Sequence, residues 1–258
     1  MDYELSRLQR LASTGDPDAA SKLLSMRVRA GLNPHYVRQA AALGDPAALS
    51  LFKPAPPTNV YCNYTMGSIG FNGVDGVLGG INVVEDLVSI AISFVRHAID
   101  QYVRSLPCVI ASRKPIENFL KLADQWTVIS REYREHLEEL LSSLSSPEPW
   151  PYSGPDREEV YSRYYNSPIK QELLSLNQQI AILYDLLRNL DLPDSESEIR
   201  WATVHIGRIM LEKYRPQLDA VWVAEYCRRV AWSFSEAEAY QRQELEWQRQ
   251  FLIRWLLQ

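Results

Sequence analysis

The chain has four histidines, His35, His97, His136 and His205, and these are its natural proton carriers and metal ligands. None lies in a His-Glu-x-x-His pair, and none follows a glutamate by three residues, so the inward Glu-x-x-His pairs of di-iron bundles are absent. His97 and Asp100 form an ordinary His-x-x-Asp. Glu132 and His136 share a helical face, but Arg131, Arg134, Glu135, Glu138 and Glu139 surround them, which reads as a solvated charged face. Ser167 to Lys170 matches Ser-x-x-Lys without the companion motifs of Ser-Lys acyl enzymes, and its Ser-Pro is a usual helix entrance. No Gly-x-Ser-x-Gly elbow occurs. Cys62, Cys108 and Cys227 stand far apart and form no Cys-x-x-Cys, which reads as buried apolar side chains in a reducing compartment. No catalytic residue, cofactor or metal is expected from these patterns.

A second chemical candidate is the stretch from Met66, where Gly67, Gly70, Gly73, Gly76 and Gly79 recur every third residue and Gly80 follows. A phosphate loop needs Gly-Lys-Ser/Thr, a dinucleotide loop needs Gly-x-Gly, and collagen needs proline; none of these is present. Asn72-Gly73 between apolar residues is a hairpin signal, so a short hairpin or an ordered loop is expected here. The alternatives are a three-residue glycine helix packed by its bare edge, a fusion-like lead into the apolar helix that follows, and a flexible loop that orders on a partner. Six glycines imply either mobility or close backbone approach.

Aromatic groups are the third candidate. Trp150, Tyr152, Tyr161, Tyr164 and Tyr165 cluster around a proline-rich break. Near the end, Tyr240, Trp247, Phe251 and Trp255 are spaced 7, 4 and 4, a helical stripe that Glu244 interrupts. The stripe is expected to close the core, and Trp150, Tyr152, Tyr164, Trp247, Phe251 and Trp255 are the partner-binding candidates. Arg242, Arg249 and Arg254 stand ready to flank a docking helix.

The elements that carry these residues read as helices. Arg10 to Leu23 aligns with Gln39 to Phe52 at an offset of 29, with six of fourteen positions identical. The shared Gly-Asp-Pro has a mechanical meaning. Gly15 and Gly44 take the left-handed turn that ends a helix, Asp16 and Asp45 cap the next, and Pro17 and Pro46 open it. Asn33-Pro34 repeats the device after Gly31. Four short helices are expected near 3–13, 17–30, 34–43 and 46–52. This segment resembles the helix-hairpin repeats of the Sel-like, tetratricopeptide and HEAT type, and the resemblance implies stacked hairpins with a face for binding protein. Two copies cannot bury a repeat core alone, so the open face must meet the rest of the chain or a partner.

Lys53 to Asn59 is a stiff proline linker. Asn82 with Glu85 suggests a capping box for a helix over 83–105, which Pro107 ends. Separate helices are expected from Pro115 to about Trp126 and over the residues that follow. Others are expected near 157–166, 168–190, 197–213, 216–232 and 235–257, with a break near 146–156. The expected fold is all-α: a repeat module over 1–53, a Gly-rich connector over 54–81 and a helical bundle over 82–258.

The net charge is −5, and no segment is strongly basic, so no nucleic-acid partner is expected. The charged N-terminus lacks an apolar signal core, and no run of eighteen apolar residues occurs. The expectation is a non-enzymatic interaction, adaptor or regulatory protein of a bacterial cytoplasm whose partner is another protein. The rivals are a membrane-active effector using the glycines and helix 83–105, and a helical enzyme with an unmarked site. Glu85, Asp86, Arg96 and Asp100 count against membrane insertion.

Overall fold

The computed structural model describes residues 2–53, 73–105, 113–142, 167–190, 194–212, 214–230 and 237–258. Among them are eleven helices and no strand. The helices are α1 (Asp2–Ser13), α2 (Pro17–Arg29), α3 (Pro34–Ala42), α4 (Pro46–Leu51), α5 (Gly73–Gly79), α6 (Val84–Ser105), α7 (Arg113–Ser142), α8 (Pro168–Asn189), α9 (Asp194–Leu211), α10 (Pro216–Arg229) and α11 (Ala237–Leu256). They form two compact units. One comprises residues 1–81 together with 234–258; the other is residues 82–233.

The first unit is built on three junctions of one kind, two Gly-Asp-Pro and one Gly-Leu-Asn-Pro. Gly15, Gly31 and Gly44 have φ of 90°, 114° and 85°, the left-handed region open to glycine. After each one, the next backbone N–H reaches back to close the helix end: Asp16 to the Leu11 carbonyl, Leu32 to Arg27 and Asp45 to Ala40. The following cap is also repeated. Asp16 accepts from the Asp18 and Ala19 amides, Asn33 from His35 at 2.9 Å, and Asp45 from Ala48 at 2.8 Å. The two copies touch at equivalent positions, for α2 packs on α4 and the Ser50 hydroxyl donates to Ser21 Oγ at 2.8 Å.

The glycine stretch departs from expectation where it is described. Gly73, Gly76 and Gly79 lie in the helix α5, not in a hairpin, a loop or a glycine helix, and Gly80 follows directly. Val74, Val77, Leu78 and Ile81 are all buried. Their spacing of three, one and three is helical, and burial of that face overrides both the glycine period and the Asn-Gly turn signal. Gly73 does provide close approach: a Cβ there would stand 3.3 Å from the Ala42 carbonyl oxygen on α3. Gly67, Gly70 and residues 54–59 of the linker lie outside the described residues, as do the break at 146–156 and the helix expected at 157–166.

The terminal helix was expected in the 82–258 bundle. Instead α11 packs on α3 and α5, within the first unit. Arg249 donates to the Leu43 carbonyl, and Arg27 Nη1 donates to the Leu257 carbonyl at 2.7 Å.

In the second unit α6 packs on α7, α9 and α10, while α8 packs on α7 and α9. The core is made by Phe94 of α6, Ile116, Phe119 and Trp126 of α7, Ile180 and Leu187 of α8, Ile206 and Ile209 of α9, and Val223 of α10. Two helices expected over 115–142 are one continuous helix of 30 residues, because nothing between Trp126 and Ser130 breaks the apolar period. The capping box also shifts. The Val83 carbonyl accepts the first backbone bond of α6, and the Glu85 carboxylate accepts from Ser130 of α7 at 3.0 Å.

Candidate functional site

The richest chemistry lies along the seam between α9 and α10, which no local motif announced. Positions 198, 205 and 208 share one face of α9, with 212 just past its end, and 219, 222, 226 and 229 share one face of α10. The first row carries Glu198, His205, Arg208 and Glu212. The second carries Asp219, Trp222, Tyr226 and Arg229, with Glu225 beside them.

His205 Nδ1 and Asp219 Oδ1 are 2.6 Å apart, and both side chains are less than a tenth exposed. Arg208 Nε lies 3.5 Å from the same carboxylate and 3.3 Å from Glu212. Tyr184 of α8 donates to Glu212 Oε1 at 3.3 Å, which ties a third helix to the row. The His205 ring stacks with Tyr226 at 5.4 Å and Trp222 at 6.2 Å.

Further along, Glu225 accepts from Arg228 Nε and Nη2 at 3.1 and 2.8 Å, and from Arg229 Nε at 2.7 Å. Burial alone would raise the Glu225 pKa, but the two guanidiniums outweigh it and hold the carboxyl below its ordinary value. Glu198 moves the other way. Burial raises it, the Glu225 charge adds to that, and Arg229 only partly opposes. Its Oε2 is buried with no hydrogen-bond partner among the described residues. Burial, with help from Glu198, also raises the Tyr226 phenol.

A carboxylate-held imidazole is the geometry of a general base. Here the imidazole packs against Tyr226 and Trp222, which also meet each other at 5.8 Å, and no hydroxyl or thiol is bonded to His205 among the described residues. The dyad joins α9 to α10 and gives two buried polar groups a partner. No group of three or more His, Cys, Asp or Glu among the described residues could hold a metal ion. His35, His97 and His136 are not part of this seam; His35 is exposed, and His97 and His136 are half-buried. Cys227 is buried on α10, and Cys62 and Cys108 lie outside the described residues.

A smaller cluster joins α6 to α7. Arg131 bonds Asp86 at 3.1 Å, and Arg134 stands 3.8 Å from Glu85. Burial raises the Asp86 carboxyl despite both cations. Among the described residues no helix is long and apolar enough to cross a membrane, and the apolar residues of α6, from Leu87 to Ile99, are buried in the second unit.

Of the aromatic candidates, Trp247, Phe251 and Trp255 are described, and Trp150, Tyr152 and Tyr164 are not. The three lie on α11, half-buried. Trp247 stacks with Phe251 at 5.3 Å, and Trp255 meets Tyr36 of α3 at 5.9 Å. The stripe is not itself the buried face of α11. That face is Glu244, Gln248, Leu252 and Leu256, with Ile253 beside it, and Gln248 Nε2 donates to Glu244 at 3.2 Å. The glutamate that interrupts the stripe in sequence is thus an interior residue, 2% exposed.

Sequence periodicity missed the dyad because its halves sit fourteen residues apart on two helices. The available signals were His205 among Val204, Ile206 and Ile209, and Asp219 within Gln-Leu-Asp-Ala-Val: polar residues at apolar positions. No protein family, characterised protein or solved structure matches this chain.

Proposed function

We propose that this chain is a non-enzymatic protein–protein interaction protein, of regulatory or adaptor type, acting in a bacterial cytoplasm. The supporting observation is the aromatic row of α11. Trp255 meets Tyr36 of α3, Trp247 stacks on Phe251, and all three stay partly exposed, with Arg242 and Arg254 exposed on the same helix. Partly exposed tryptophan and arginine are the residue types that dominate binding energy at protein interfaces. The capped helix hairpins alongside provide a rigid scaffold for such a surface. The compartment rests on three scattered cysteines without a pairing pattern.

The test is affinity capture from the native host by the intact chain and by Trp247→Ala/Phe251→Ala, with helicity checked first. A stoichiometric protein held by the wild type and lost by the variant is expected. Equal capture by both, or no stoichiometric protein, refutes the proposal.

A further inference from the structure

The second unit is an insertion within the first. The chain leaves the first unit after α5, runs through α6 to α10, and returns as α11, which packs on α5 and α3. The connectors are short: four residues separate α5 from α6, and seven separate α10 from α11. The first and last helices of the insert, α6 and α10, pack on each other. The folded insert therefore holds the start of α6 and the end of α10 within about a helix length of each other.

We infer that the insert is a clasp: its folded state holds α11 docked on α3 and α5, so the stability of the insert sets how firmly α11 is docked. The physical cause is loop closure. With the insert unfolded, docking α11 must close a loop of roughly 150 residues. Closure probability falls as the three-halves power of loop length; the eleven connector residues and a span of one helix length act as a loop of about 50 residues, so lengthening it to roughly 150 weakens docking by about 5-fold. The coupling is reciprocal: release of α11 must weaken the insert by the same factor. The device regulates exposure of Trp247, Phe251 and Trp255. Anything that binds and stabilises the insert secures α11, and anything that loosens the insert frees that row and its partner Tyr36.

The experiment is hydrogen exchange on the intact chain. Phe119 is fully buried in the insert, so Phe119→Ala lowers the stability of that unit alone at source. Exchange is read in a denaturant concentration that unfolds the insert of this variant but not of the wild type. Peptides of α11 are expected to exchange about 5-fold faster in the variant, while those of α1 and α2 keep wild-type rates. Wild-type rates in α11 with the insert unfolded would overturn the inference. The converse variant is Leu252→Asp, which puts a charge in the buried face of α11 and releases it. It is expected to shift the unfolding equilibrium of the insert by the same factor, and an unchanged insert would equally overturn the coupling.

Discussion

Gly207 sits in the middle of α9, where glycine is a poor helix former. Replacing it with alanine in open space stabilises a helix by about 1 kcal/mol. The surroundings reverse that sign. A Cβ at 207 would stand 2.6 Å from Cδ2 of Tyr184, 3.3 Å from Cζ of Phe119 and 3.4 Å from Cε2 of Tyr184. The first distance lies well inside van der Waals contact, so a ring must move. Tyr184 is a rigid ring whose hydroxyl bonds Glu212, and Phe119 is fully buried, so neither can swing away freely. Forcing a methyl into a filled core costs about 1–3 kcal/mol. The net expectation for Gly207→Ala is a loss of about 1–2 kcal/mol, after subtracting the helix gain. Urea denaturation followed by circular dichroism measures it, provided the slope is unchanged. The decisive control is the Tyr184→Ala background, which removes the obstructing ring. There Gly207→Ala must become stabilising by up to about 1 kcal/mol. A variant as stable as the wild type, or a cycle without that change of sign, would refute the argument that α8 and α9 meet across this glycine.

Asp45→Ala removes the side chain that caps α4 through the Ala48 amide and should cost about 1 kcal/mol in thermal unfolding, as should Asp16→Ala at α2; an unchanged melt in both would reject the junction mechanism. Gly44→Ala meets two obstacles, a φ of 85° and the Arg249 side chain that would crowd its Cβ, and should destabilise by more than about 1 kcal/mol on denaturation. Glu198→Gln should stabilise at neutral pH. The folded state raises this carboxyl, so as pH climbs past its unfolded pKa the unfolded chain sheds the proton first and stability falls until the folded pKa is reached. The advantage of glutamine should vanish in acid below both values, and melts of the two chains across pH that stay parallel would contradict it. Glu225 has the opposite sign: its carboxyl is lowered, so the stability it contributes is present above its unfolded pKa and is lost as pH falls through the folded one. Glu225→Gln should therefore be destabilising at neutral pH and neutral in strong acid, measured by the same melts.

The sequence alone determined the first four helices almost to the residue. Their ends are set by interactions within six residues, a left-handed glycine, an Asx cap and a proline, and such signals act the same way in any tertiary setting. The all-α class and most of the bundle helices were legible for a similar reason, since the apolar period of each is a property of its own segment. Tertiary structure decided the rest. Glycines at every third position and Asn-Gly pointed away from a helix at 73–79, and burial of Val74, Val77, Leu78 and Ile81 prevailed. The partner of α11 turned on contacts such as Arg249 with Leu43, some two hundred residues apart, which no local pattern encodes. The same holds for the candidate site. The rows on α9 and α10 are spaced as any solvated helix face would be, and His205 and Asp219 become a buried pair only when the two helices pack. Local hydrogen bonding fixes where helices start and stop, whereas burial free energy summed over distant segments fixes which faces meet, and only the folded chain performs that sum.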